Sequence, residues 1–191
     1  DTSVRRLGLP SPDQKPVLCE NVDLFTKPVG TKEAAMPRGY LIPAELGFIA
    51  DKLRTHNIAV DVLDEPLAVS GQEYIIDELS LVRRGGYEMT GLHGGFFSSE
   101  RKVFPPGTFH VDMAQPLANL AFYCLEPQVG DSFAGWGLLN EYLLSLGIDR
   151  SSVVYPVYKY FKILENHMSS PGRISGRGDL RVLRRRNRFR F

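Results

Sequence analysis

The chain has 191 residues, 43% of them apolar, and a formal net charge of +1. That length suits one ordinary domain rather than two large ones, and the apolar share supports a sizeable core. From Pro171 onward there are eight Arg and one Asp, so this tail carries +7 and leaves −6 on the body; bulk charge makes no case for nucleic-acid binding by the domain itself.

The first residue is Asp1 rather than Met, as expected of a processed chain or of one piece of a longer polypeptide. No signal-peptide pattern is present, and no apolar run approaches the roughly 18 residues of a membrane span. Residues 1–37 are rich in Pro, Lys and Asp and read as a linker, with room for one edge strand near Val22, Leu24 and Phe25. A linker of this kind is expected just downstream of another domain.

Gly39 to Ile42 is a short apolar run that stops at Pro43 and predicts a strand. Ala44 to His56 places Leu46, Ile49, Ala50 and Leu53 at helical spacing, and Asn57 suits the left-handed residue that ends a helix. Ile58, Val60 and Val62 then alternate as a strand. The resulting strand-helix-strand unit predicts two parallel strands joined by a crossover. Gln72 to Arg83 alternates with a slip of phase near Asp77-Glu78, so it reads as one strand with a bulge, or two. Arg84-Gly85-Gly86 is a turn; Tyr87 to Leu92 and Gly95 to Val103 are expected to pair as a meander with His93-Gly94-Gly95 between them.

Pro106-Gly107 is a turn, and Thr108 to Met113 is expected to be the last strand. Leu117, Leu120, Ala121, Cys124 and Leu125 make an apolar helical stripe that Pro127 ends. Leu139, Tyr142, Leu143 and Leu146 make another, ended by Gly147. Val153 to Leu164 is rich in aromatic residues and suits a docked strand or a short helix. Together these elements predict an α+β domain over residues 38–168: a mixed β-sheet with a strand-helix-strand unit and two further helices packed on it. Residues 169–191 are an Arg-rich tail expected to be disordered.

The residue types of chemistry are present but not grouped. None of the four histidines (His56, His93, His110 and His167) stands at a zinc-ligand spacing from a Glu or a second His. Gly85-Gly86 and Gly94-Gly95 lack the Lys-Ser/Thr of a phosphate loop and read as hairpin turns. Ser98, Ser99 and Ser132 lack the setting of a hydrolase nucleophile, and Ser132 suits a cap or turn. Glu126 and Asp131 flank Pro127 and bracket a site only if that loop folds back. Cys124 reads as a small buried hydrophobe, and nothing in the sequence supports a bridge from it to Cys19. Accordingly no catalytic, cofactor-binding or metal-ligating residue is assigned. Two positions remain as interface or ligand contacts: His93, between Leu92 and a glycine pair, and Trp136, the single tryptophan, set between glycines as a buried anchor or an interface hot spot.

Four segments carry a family resemblance: PRGYLIPAE at Pro37 to Glu45, HNIAVDVL at His56 to Leu63, PPGTFHVDMAQPLANLAFYCLEPQ at Pro105 to Gln128, and DSFAGWGLLNEYL at Asp131 to Leu143. The stretch from Pro37 to Asn140 resembles the non-catalytic region that follows the peptidase domain in bacterial carboxypeptidase-A-like zinc carboxypeptidases. Members of that family hold zinc with an HxxE pair and a later His, use a Glu as general base and bind the substrate carboxylate with Arg. None of that zinc motif stands in this sequence, so no position here inherits a catalytic role.

The resemblance implies an accessory domain of a secreted or periplasmic metallopeptidase. Its partner would be the catalytic domain of the same polypeptide, with zinc belonging to that parent enzyme. The alternatives are a free-standing small-molecule or carbohydrate binding module built on the loops around His93 and Trp136, and a nucleic-acid binder acting through the Arg-rich tail. Nucleic acid is not the expected partner, and no membrane span is expected.

Overall fold

The longest element is a hairpin. In the computed structural model, which describes residues 33–164 and 188–190, strands β4 (Leu67–Arg84) and β5 (Tyr87–Phe104) each run 18 residues and pair antiparallel along their whole length. At about 3.4 Å per residue such a hairpin is about 60 Å long. Its turn is Gly85-Gly86, both with positive φ (58° and 88°), the conformation a tight two-residue connection demands and glycine adopts without strain.

The remaining strands are β1 (Glu33–Ala35), β2 (Gly39–Ile42), β3 (Asp61–Val62), β6 (Phe109–Asp112), β7 (Val153–Val154), β8 (Tyr158–Ile163) and β9 (Arg188–Arg190); the helices are α1 (Gly47–Thr55), α2 (Ala118–Leu125) and α3 (Asn140–Ser145). The main sheet has the order β3-β6-β2-β8-β4-β5, with β7 also on β4. β1 and β9 pair separately.

The fold is α+β, with two departures from expectation in the sheet. Every pairing among the described residues is antiparallel, so the sheet is not mixed. The β2-α1-β3 unit exists, and β2 and β3 do run the same way, but both pair with β6, which lies between them. Ile58 is buried and Val60 packs on the core, yet only Asp61 and Val62 reach the ladder.

The slip expected near Asp77 is real: the β4–β5 register shifts between Ile76 and Glu78, and again between Val69 and Gly71. His93-Gly94-Gly95, expected as a connection, lies inside β5. Gly94 is required there because a Cβ would run into the Ile75 carbonyl across the ladder. β6 is not the last strand either. β8 comes later and sits in the middle of the sheet between β2 and β4, and Pro156 separates it from β7 while Tyr155 N–H still donates to the Tyr74 carbonyl. The expected linker and tail contribute β1 and β9 at Glu33–Ala35 and Arg188–Arg190; residues 1–32, 165–187 and 191, with Cys19 and His167 among them, lie outside the described residues.

The helices pack on one face of the sheet. Ile49 and Leu53 of α1, Phe122 and Leu125 of α2 and Leu143 of α3 meet Tyr40, Ile42, Tyr74, Ile76 and Val111 from the strands. The stripe on α2 is rotated from expectation, since Phe122 is buried and Leu120 exposed. The opposite face carries a smaller cluster of Leu41, Val69, Phe104, Tyr158 and Tyr160. β2 is therefore buried on both faces, the physical reason its sequence is continuously apolar.

Asn57 closes α1 with φ 60°, and Gly147 comes just after α3 with φ 84°, both as their residue types suggested.

Candidate functional site

β7 meets β4 only at Ile75 and Ile76, so beyond those residues β4 has β5 alone beside it in the sheet. The distal part of the hairpin is thus a two-stranded ribbon. Register places Val82 opposite Met89, Ser80 opposite Gly91 and Glu78 opposite His93. Alternation along the strands puts these pairs and Tyr87 on one face of the ribbon, with Leu81 on the other. Three large apolar side chains here face solvent: Tyr87 (65% exposed), Leu81 (60%) and Val82 (49%).

Trp136 comes to this ribbon from the segment after α2. Phe133 N–H donates to the Cys124 carbonyl, Trp136 N–H to the Ser132 carbonyl, and Gly135 N–H to Ser132 Oγ at 3.1 Å. Ser132 therefore plays the turn role its sequence setting suggested. Gly135 lies so close to the Gly130 carbonyl that a Cβ has no room. The segment is fastened to the edge of β5 by Thr90 N–H donating to the Gly135 carbonyl at 2.8 Å, and Thr90 Oγ1 donates to Asn140 Oδ1 at 3.0 Å.

Held in this way, the Trp136 indole packs edge-on against Tyr87, with ring centroids 6.0 Å apart, and stays 46% exposed. Of the two readings the sequence left for Trp136, the buried anchor does not hold. Both rings of the pair therefore keep solvent-exposed surface.

His93 is exposed on the same ribbon, its Nε2 3.0 Å from Ser80 Oγ, which also contacts the Gly91 carbonyl. No hydrogen bond or ring contact joins His93 to Trp136 among the described residues; the ribbon presents them at separate points along β5. Among the described residues no hydrogen bond is made by the other ring nitrogen, so the imidazole and the Ser80 hydroxyl stand without the third group that orients a hydrolytic base.

The strongest electrostatic feature is elsewhere and is buried. Pro127 disfavours helical backbone at Glu126, which ends α2 extended (ψ 126°) with its carboxylate inside the domain. Glu126 is 0% exposed and Lys159, on the central strand β8, 3%. Lys159 Nζ stands 3.3 and 3.4 Å from the two carboxylate oxygens, and Tyr40 Oη donates to Oε1 at 2.8 Å. The ammonium also rests 3.4 Å from the centroid of the Phe96 ring, a cation–π contact.

Burial raises the Glu126 carboxyl above its ordinary range, opposed by Lys159 and by the Tyr40 hydrogen bond. Burial lowers the Lys159 ammonium, opposed by Glu126. Burial, and then the neighbouring Glu126 charge, push the Tyr40 and Tyr155 phenols well up. The network ties α2 to β2 and β8 and is closed to substrate. Asp131 is exposed and takes no part in it, so the carboxylate pair flanking Pro127 does not form a site. Sequence reasoning missed Lys159 and Tyr40. The available signal was a lysine among aromatics at alternating spacing in Tyr158-Lys159-Tyr160-Phe161, where Tyr158 and Tyr160 fill the smaller cluster and Lys159 must face the main core.

Two further histidines make contacts within the domain. His56 caps the end of α1 and stacks 6.3 Å from Phe133; His110 Nε2 lies 2.7 Å from Tyr160 Oη. Burial pulls the His110 imidazole down and pushes the Tyr160 phenol up to about 12. Among the described residues Cys124 is a buried free thiol, no three metal-ligating side chains cluster, and no helix is long and apolar enough to cross a membrane.

Comparison of the chain with protein-family models, with curated proteins and with solved structures finds no match.

Proposed function

We propose that this chain is a non-catalytic accessory domain that works by contact, packing against the catalytic domain of a zinc carboxypeptidase-type metallopeptidase and shaping access to its cleft. The observation that carries the reading is the partly exposed face of the β4–β5 ribbon, where Tyr87 and Trp136 meet edge-on and Val82 is also exposed. Partly exposed aromatic rings beside other exposed apolar side chains are suited to lie on a second body. The partner's identity comes from the resemblance of Pro37 to Asn140, as do zinc in the parent enzyme and a secreted or periplasmic setting.

The test is the natural reading frame upstream of Asp1. The proposal expects an HxxE pair, a later His and a catalytic Glu, in that order, ahead of this domain. A frame that encodes no such motif contradicts it. A second reading, a free-standing binding module, is favoured by one observation, a groove at the other end of the hairpin.

A further inference from the structure

Among the described residues a groove of about 480 Å³ opens where the end of β5 passes the start of α1 and the break between β7 and β8. That volume lies within the range of small-molecule sites, roughly 300–1,000 Å³. Tyr155 and Tyr158 contribute buried ring surface to its lining, and Leu146 and Val154 supply exposed apolar wall. Its two charged residues are not equivalent. Lys102 is ion-paired with Glu73, and its ammonium also lies over the rings of Phe104 and Tyr158, 5.4 and 5.3 Å from their centroids. Its charge is already answered from within the domain. The Glu45 carboxylate accepts one hydrogen bond, from Tyr142 Oη at 3.3 Å, and no cation is paired with it among the described residues. The groove is thus a largely apolar slot with tyrosine rings beneath its wall and, at its rim, one exposed carboxylate that no cation pairs among the described residues.

We infer that this groove is a ligand site for a small molecule with a flat apolar body and a cationic group, an aromatic amine in its simplest form. The body would lie against Leu146, Val154 and proline surface, and the cation would reach Glu45, which Tyr142 orients. The inference does not rest on the accessory-domain reading, because it concerns a different face and needs no second protein.

Three indoles that differ only in charge provide the test: tryptamine (cation), tryptophol (neutral) and indole-3-acetate (anion). Each is titrated into the ¹⁵N-labelled chain while the amides of Leu146, Val154 and Tyr155 are followed. For ligands of this size saturation is expected near millimolar concentration. Tryptamine should bind about two- to five-fold more tightly than tryptophol, the worth of an exposed ion pair, and indole-3-acetate most weakly. Glu45→Gln should remove the preference for the cation and leave tryptophol binding unchanged, and Leu146→Lys should weaken tryptamine most. Both positions are at the surface, so the variants report on binding rather than folding. Absence of saturable shifts up to about 10 mM, a preference for the anion, or a ranking untouched by Glu45→Gln overturns the inference. So does binding of a proline decamer where tryptamine gives none.

Discussion

Lys159→Met removes one charge from a buried pair and leaves the Glu126 carboxylate with the Tyr40 hydroxyl as its remaining hydrogen-bond donor in this network. Glu126 is fully buried, so water cannot replace the ammonium. Breaking a buried pair from one side costs about 3–5 kcal/mol, most of it the penalty of the stranded charge. The loss should depend on pH, and its sign is set by Glu126. Burial already raises that carboxyl, and the variant deletes the attraction that opposes the rise. A carboxyl raised in the folded state holds its proton more tightly there than in the unfolded chain. Stability of the variant should therefore fall as pH climbs through and above the ordinary carboxylate range, and the deficit against the parent should shrink in acid. Adding Glu126→Gln removes the stranded charge while keeping an acceptor for Tyr40. The double variant should recover part of the loss, with a coupling of about 0.5–3 kcal/mol. Urea unfolding of the parent, Lys159→Met, Glu126→Gln and the double variant at neutral and at mildly acid pH measures all of this. A loss below about 1 kcal/mol for Lys159→Met, typical of surface changes, or a double variant no better than the single one, would refute the buried-pair argument.

Gly94→Ala should destabilise by about 1–3 kcal/mol, read as a lower urea midpoint, because its Cβ meets the Ile75 carbonyl; Gly95→Ala, whose nearest foreign contact is Phe97 at 3.7 Å, should cost less. Tyr87→Ser should lower stability by no more than about 1.5 kcal/mol, the upper worth of an aromatic pair, and should red-shift and expose the single tryptophan to iodide quenching. The His110 imidazole is pulled down by burial in the folded state, so it opposes folding when charged. Its contribution should make stability rise as pH climbs through the usual imidazole range. Removing it with His110→Gln should flatten that part of the profile, and a proton NMR titration should place this ring below the ordinary imidazole value.

Local decisions of a few neighbouring residues were legible in the sequence. Asn57 at positive φ, the Gly85-Gly86 turn, the terminating Gly147 and the slip beside Asp77 all arise from local backbone preference or a local change of period. The features it hid are set at a distance. Gly94 looked like a loop residue because glycine breaks strands, yet its role is to let the Ile75 carbonyl approach from 19 positions away. β8 looked like an appended segment, and its central place depends on pairing with strands far back in the chain, at β2 and β4.

The candidate site divides in the same way. Trp136 stood out by its uniqueness and glycine flanks, while its partner Tyr87 lay unmarked at the start of a strand 49 positions earlier. Lys159 was masked by the rule that lysines face water, which fails where a carboxylate and an aromatic ring are buried to meet it.

The most direct test of the account looks at Trp136 itself. As the single tryptophan it can be replaced throughout by 5-fluorotryptophan, giving one ¹⁹F signal for the proposed contact surface. That signal is followed while the unlabelled peptidase domain from the same natural reading frame is added. The account predicts a saturable shift of the resonance, weakened in Tyr87→Ser. A resonance that stays in place through the titration, in a chain that remains folded, would contradict the claim that this ribbon is where the domain makes its contact.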